Sequence, residues 1–524
     1  MNRVFELREW QQEAFRKIKE CKKNDFLCVA TPGAGKTKFA LRVAYDFLNS
    51  GRADRIVIVT PTEGLKRQWA ETAASFAGLD IDPDFSNSQI REAADYKGIA
   101  ITYALLGMDK SGIHQQRTNS TRTFVIFDEV HHAGDNLTWG NAVKNSFSQA
   151  IFRLAISGTA FRSDDNPIPF ITYNERRMSQ ADYSYTYERS VIENVCRPVF
   201  FSAYNGVMKW RVDTQEFEQT FDDNLTPDQV SKRLKTALEP KGNWVRSVLI
   251  AADQKLMEIR RTSHQNAAGL IFCMTQKHAR EIAKVLKTIT GASSPVIVSE
   301  TGTGSDEIER FRNSSDKWIV SVKMVSEGVD IPRLRVGVYL TNVKAELFFR
   351  QAVGRFVRVL SDLQSQDAFI FIPQDREIVK LAETIQEERE HALDECDSGS
   401  DRSDRDLFGS YIPALTGRFI PIQSDVTDGK MIRSSISISS GAEHSRDNRI
   451  TPDSPIYLQK NFLREQMNQI AKRYALRFNN GCKPDFKILH KRWIEAGGKN
   501  MELETVDELR KRLAFYQNML RQVA

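Results

Sequence analysis

Ala30-Thr31-Pro32-Gly33-Ala34-Gly35-Lys36-Thr37 follows an apolar run, Phe26-Leu27-Cys28-Val29, and leads into residues 38–48, whose apolar side chains recur at helical spacing. A strand, a glycine-containing turn and a helix start in succession form a phosphate cradle. Backbone N–H groups and the helix N-terminus face the anion, and a lysine adds a point charge. Gly33 and Gly35 would let the backbone come close, with Ala34 between them, Lys36 would neutralise phosphate, and Thr37 would place its hydroxyl on Mg²⁺. The strict pattern opens with glycine, whereas this chain has Ala30. The stretch predicts an α/β domain built on a parallel sheet.

Upstream, Leu7-Arg8-Glu9-Trp10-Gln11 opens a helix, and a glutamine ahead of such a loop can pair with the donor and acceptor of an adenine edge. Downstream, Arg-Ile-Val-Ile-Val-Thr at 55–60 is an apolar run of the kind a buried parallel strand needs, and it ends in Thr60-Pro61-Thr62. Ile99-Ala100-Ile101-Thr102 repeats the pattern. Ligands of doubly wound sheets sit beyond the carboxyl ends of the strands, so Thr60, Pro61, Thr62 and Thr102 fall on the functional edge.

Thr123-Phe124-Val125-Ile126-Phe127-Asp128-Glu129-Val130-His131-His132 delivers two adjacent carboxylates to that edge, about ninety residues after the loop. Asp128 suits Mg²⁺, and Glu129 suits a water to be deprotonated. Leu154-Ala155-Ile156-Ser157-Gly158-Thr159 is a further strand, whose Ser157 and Thr159 hydroxyls are placed to bond the Asp-Glu end and report nucleotide state, with His131 beside them.

A second α/β unit is predicted from strands at 198–204, 268–274, 295–298, 317–322 and 336–341, with two helices across 225–261. A helix is expected over 348–359, with Arg355 and Arg358 three apart on one face and no acid between Phe348 and Leu360, an arrangement that suits a γ-phosphate held by the other domain.

The chain has 524 residues, which calls for more than one core, and an ordinary globular composition. Its net charge of +6 is concentrated at the end: from Pro455 onward there are 14 Lys/Arg against 7 Asp/Glu. Residues 394–406 are acidic and polar, a linker by composition, and 434–440 alternate serine with isoleucine. The tail recovers helical patterning, with a capping box at Thr505-Val506-Asp507-Glu508. Its chemistry admits DNA grip, docking of a protein partner, or packing against the rest of the chain. Six scattered cysteines argue against a zinc site and a disulfide framework. The first residues lack an apolar signal core, and no apolar run approaches the ~18 residues of a membrane span, so a soluble, cytoplasmic protein is expected.

In this order and spacing the blocks resemble superfamily 2 helicases and nucleic-acid translocases, over roughly residues 5–375. The Asp-Glu-Val-His form with Gln351-Ala352-Val353-Gly354-Arg355-Phe356-Val357-Arg358 is most similar to the branch of restriction-enzyme motor subunits and excision-repair helicases. The resemblance implies two RecA-like domains with ATP and Mg²⁺ between them. It implies Arg8 and Gln11 at the nucleotide, Arg355 and Arg358 as fingers, Gln351 near the γ-phosphate, and Gly328 with Asp330 at the domain interface. Domains are expected at 1–175, 176–390, 391–454 (linker) and 455–524 (basic helical module). The expected activity is an ATP-dependent DNA helicase or double-strand translocase. Alternatives are an RNA helicase and a nucleotide-gated DNA sensor or scaffold that recruits an effector. No nuclease signature follows residue 375, so a nuclease partner would reside on another chain.

Overall fold

The computed structural model describes residues 5–134, 137–158, 167–175, 177–297, 304–322, 331–360, 363, 366–394, 419–431, 454–478 and 487–522. Thr159, Gly328, Asp330, the linker at 395–406 and the serine–isoleucine stretch at 434–440 lie outside the described residues. Contacts divide the chain into two compact units, the first comprising Met1–Val29, Gly35–Ser184 and Ser445–Ala524, the second Ala30–Ala34 and Tyr185–His444.

The first unit is built on seven strands: β1 Asp25–Ala30, β2 Arg55–Thr60, β3 Ile81–Asp82, β4 Gly98–Thr102, β5 Thr123–Asp128, β6 Phe152–Ser157 and β7 Tyr183–Tyr185, in spatial order β3-β4-β2-β5-β6-β1-β7. The pairs from β3 across to β1 are parallel. Every residue of β2, β4, β5 and β6 is buried, as an apolar strand covered on both faces requires. Register brings the strand ends level: Thr60 pairs with Thr102, Asp128 with Ile156, and Val29 with Ser157. One edge of the sheet thus collects the strand ends that carry the hydroxyls and carboxylates.

The second unit holds β8 Val199–Val212, β9 Gln215–Thr220, β10 Ala268–Cys273, β11 Val296–Ile297, β12 Trp318–Val322, β13 Leu334–Leu340, β14 Ala368–Pro373 and β15 Phe419–Met431. The order is β11-β12-β10-β13-β14-β8-β15, with β9 on β8. From β11 to β8 it is parallel, and β9 and β15 join antiparallel. The strand expected at 198–204 is the half of β8 that pairs with β14, and the remainder runs on as an antiparallel ribbon. Two helices stand where expected, Pro227–Ala237 and Asn243–Thr262, the former opened by a Thr226/Gln229 capping box with Pro227 just inside.

The helix expected over 348–359 is Glu346–Val353 instead. After Gly354 the chain turns so that Phe356, fully buried, packs edge-on against Phe272 with ring centroids 6.3 Å apart. It fits over Gly337, where an added Cβ would lie 2.7 Å from the Phe356 ring. Arg358 then pairs strand-like with Cys196. Arg355 and Arg358 therefore do not share a helix face: burial of Phe356 and the low helix propensity of glycine outweigh the periodicity.

The C-terminal helices Ile456–Phe478, Lys487–Glu495 and Val506–Gln522 share a small core of Leu463, Met467, Tyr474, Leu489, Leu509 and Tyr516. They pack within the first unit, on the irregular segment that flanks β3 and β4. Ile456 N–H donates to Asp80 Oδ1 at 3.2 Å, Asn461 to Asp84 at 3.2 Å, and Val506 N–H to Asp95 Oδ2 at 3.1 Å. Lys460, buried, pairs with Asp95 at 2.8 Å and lies over the Tyr96 ring. Among the described residues no helix is long and apolar enough to cross a membrane.

Candidate active site

The loop after β1 turns tightly, with Ala34 N–H donating to Thr31 O at 3.2 Å. Gly33 and Gly35 take φ of +87° and +97°, the left-handed region that a side chain disfavours. Gly35 caps the helix Lys36–Asn49, so Lys36 and Thr37 are its first two residues and lie where free N–H groups and the helix dipole attract an anion. Gln11 braces this turn. Its Oε1 accepts from Arg8 N–H at 2.9 Å and its Nε2 donates to Gly35 O at 3.0 Å. Both ends of the amide are engaged by protein, and Arg8 is the N-cap of the helix Glu9–Glu20.

Lys36 Nζ lies 3.6 Å from Glu129 Oε1. The other oxygen, Oε2, accepts from Gly158 N–H at 3.1 Å and Ser157 Oγ at 3.5 Å, with His131 Nδ1 at 3.6 Å. His131 Nδ1 also lies 3.4 Å from Ser157 Oγ. Glu129 has φ +43°, a conformation that costs a non-glycine residue free energy and that recurs at functional sites. The structure thus brings together Lys36, Asp128, Glu129, His131 and Ser157.

Burial, and after it the charge of Glu129, raises the pKa of Asp128 well above the usual carboxylate range. Burial also opposes the charge on Glu129, but Lys36, then His131 and the Gly158 N–H, overcome it and hold Glu129 ionised to low pH. Asp128 and the Thr37 hydroxyl are hard oxygen donors of the kind Mg²⁺ takes, and a divalent cation would relieve the strain of ionising Asp128. The residues fit that ion.

Thr60 and Thr102 are buried on neighbouring strand ends. Thr60 Oγ1 donates to Thr62 O at 3.2 Å, while Thr62 and Thr102 cap the helices that follow, accepting from Leu65 and Leu105 N–H. Pro61 stands between them, half-buried. Gln351 is buried in the helix Glu346–Val353 of the second unit, and Arg355 and Arg358 follow that helix.

Two residues join the site without a sequence signal. Trp69, in the helix Glu63–Thr72, donates its indole N–H to Asp128 Oδ2 at 2.7 Å, and Tyr103 OH donates to Asp128 O at 3.0 Å. The one hint is that a buried tryptophan or tyrosine needs a partner for its polar end.

Residues 4–162 match the family model of the type III restriction enzyme res subunit, and residues 251–360 match the helicase conserved C-terminal domain. An uncharacterized protein of Mycobacterium tuberculosis is 42% identical over 393 residues, 74% of this chain, and the match spans 64% of that protein's length, just under two thirds. A DNA 3'-5' translocase, XPB2, of Sulfurisphaera tokodaii is 25% identical over 373 residues, 68% of this chain and 79% of the relative. A fragment of an HsdR subunit of a type I restriction enzyme from Vibrio vulnificus has a similar fold, with a TM-score of 0.50 over 72% of this chain and 66% of the fragment at 16% identity.

Proposed function

Because the chain belongs to helicase superfamily 2, we propose that it is an ATP-driven motor on DNA, a helicase or double-strand translocase. The reading rests above all on the cluster at the end of β5, where Lys36 Nζ faces Glu129 Oε1 at 3.6 Å and Asp128 stands beside it. Lys36 and the loop N–H groups hold the β- and γ-phosphates, and Glu129 Oε1 accepts the proton of the attacking water. Gly158 and Ser157 hold the other Glu129 oxygen, which fixes the plane of the carboxylate. Thr37 and Asp128 hold Mg²⁺, which when bound neutralises phosphate charge. Arg8 and Gln11 border the loop at Gly35 on the base side. His131, between Glu129 and Ser157, relays the state of the nucleotide, together with Thr159.

Gln351, Arg355 and Arg358 are the second unit's proposed γ-phosphate groups, and Gly328 and Asp330 are proposed as nucleotide-binding residues. Thr60, Pro61, Thr62 and Thr102 form the nucleic-acid side of the first unit. DNA is favoured over RNA because the Asp-Glu-Val-His pattern and the translocase relative, by its name, point that way. A nuclease or other effector on a separate chain is the proposed protein partner.

The test is ATP hydrolysis by the full chain with single-stranded DNA, duplex DNA and RNA side by side, with Lys36→Ala as the blank. Stimulation by DNA and not RNA is expected. Equal stimulation by RNA overturns the DNA preference, and a wild-type rate equal to that of Lys36→Ala overturns the motor itself.

A further inference from the structure

The helix Glu63–Thr72 lies between two sets of bonds. On one face Trp69, 1% exposed, donates its indole N–H to Asp128 Oδ2 at 2.7 Å. Two residues on, about 200° around the helix, Glu71 Oε1 accepts from Tyr457 OH at 2.6 Å. Tyr457 is 2% exposed and belongs to the C-terminal helix Ile456–Phe478. That helix start is pinned on either side of Tyr457, by Ile456 N–H on Asp80 and by Lys460 on Asp95. One short helix therefore touches the catalytic carboxylate with one side and the C-terminal helices with the other.

A core tryptophan needs only some acceptor for its N–H. Here the acceptor is the Asp128 carboxyl group, and the bond strengthens when that group is ionised, as it is when it holds a cation. The bond commits Oδ2 to protein and so sets the plane of the carboxyl group, while Tyr103 holds the backbone of the same residue at Asp128 O. A residue held at its backbone carbonyl and at one carboxyl oxygen meets a cation with less ordering left to do.

We propose that Trp69 is a positioning residue for the metal-holding carboxylate of Asp128, and that the C-terminal helices set its register through the Tyr457–Glu71 bond. The inference rests on the reading of Asp128 as a Mg²⁺-holding group. It makes the C-terminal helices part of the nucleotide site's support.

The experiment titrates Mn²⁺ into the full chain with a non-hydrolysable ATP analogue, following free Mn²⁺ by electron paramagnetic resonance. Metal-free analogue binding is measured alongside. Trp69→Phe keeps a buried ring without the N–H and should weaken Mn²⁺ binding about 10–100-fold, with metal-free analogue binding unchanged. Trp69→His returns a ring N–H and should recover part of the loss. Tyr457→Phe should weaken Mn²⁺ in the same direction, by on the order of threefold. Wild-type Mn²⁺ affinity in Trp69→Phe overturns the positioning role, and wild-type affinity in Tyr457→Phe overturns the part played by the C-terminal helices. If Trp69→Phe does not fold, Trp69→Leu, which likewise lacks the N–H, decides the positioning role by the same criterion, and Tyr457→Phe decides the part played by the C-terminal helices. A wild-type chain that binds neither analogue nor Mn²⁺ would instead sink the functional reading beneath the proposal.

Discussion

At the end of β5, Asp128 and Glu129 stand side by side with Lys36 as counter-charge, and Glu129 holds a left-handed backbone. In the C-terminal helices, Glu504 and Arg512 are both fully buried and pair at 3.1 Å. Glu504 also accepts from the Trp493 indole, and Arg512 donates to Tyr516 OH and His490 Nδ1. Both regions bury charge in the same unit. In the second, Glu504 and Arg512 are matched by hydrogen bonds to each other and to neighbouring side chains. In the first, two like charges adjoin, their pKa values are driven apart, and the backbone is strained. Buried charge fully bonded by its neighbours reads as structure, and buried charge with shifted pKa values on a strained backbone reads as chemistry.

The largest effect should separate the two on the catalytic side. Glu129→Gln keeps the shape and the Gly158 and Ser157 contacts but loses the base, so hydrolysis should fall about 10²–10⁴-fold with ATP still bound. Single-turnover hydrolysis and nucleotide binding check this, and wild-type turnover would remove Glu129 from the chemistry.

The converse holds for the C-terminal pair. Glu504→Ala strands a buried guanidinium and should cost about 3–5 kcal/mol in urea unfolding. Replacing Glu504 and Arg512 together by Leu and Met should cost much less. A Glu504→Ala chain of normal stability but impaired hydrolysis would break the comparison.

His114 sharpens it from the side of groups kept neutral. It is buried, with Nε2 3.0 Å from Asn87 Oδ1, and burial, reinforced by Arg55 and Arg117 against Asp109, pulls its pKa down to about 4. The unfolded chain then binds a proton that the folded one refuses. The stabilising contribution is full above the ordinary histidine pKa of about 6.5 and is lost as the pH falls from there towards 4. Unfolding free energies at pH 7.5 and 5 should show a smaller drop for His114→Gln than for wild type.

The smallest effect concerns a cap. Thr505 Oγ1 accepts from Glu508 N–H at 3.3 Å while Glu508 Oε2 accepts from Thr505 N–H at 2.9 Å. Thr505→Ala should cost about 1 kcal/mol, measured by thermal unfolding, with hydrolysis unchanged.

The parallel strands were legible because each is an apolar run buried on both faces, and β2 and β5 begin and end where the pattern does. The glycine loop, Lys36, Asp128, Glu129 and His131 were legible because each occupies a strand end or helix start that sequence alone locates. The antiparallel ribbon of β8, β9 and β15 was not, since β15 lies some two hundred residues beyond its partner and no local pattern encodes the pairing. Nor was the turn at Gly354, where burial of Phe356 in the core overrode helical spacing.

The C-terminal charge excess shows the boundary most plainly. Sequence counts 14 cations against 7 acids and points to a polyanion. In the fold Lys460 pairs with Asp95 of the first sheet's connection and Arg512 with Glu504 in a core, so part of that charge is already spent within the protein.

What the sequence by itself determined is the order of elements along the chain: a glycine loop between an apolar strand and a helix, paired carboxylates at the end of another apolar strand, and two α/β units. Composition and spacing suffice for these because they depend on neighbours a few residues apart. Only the tertiary structure decided that Glu129 would stand in a left-handed turn against Gly158, that Trp69 would hold Asp128, and that Tyr457 would reach Glu71. Those partners are separated by 29, 59 and 386 residues. Only packing, which trades chain entropy for burial across such distances, chooses between them.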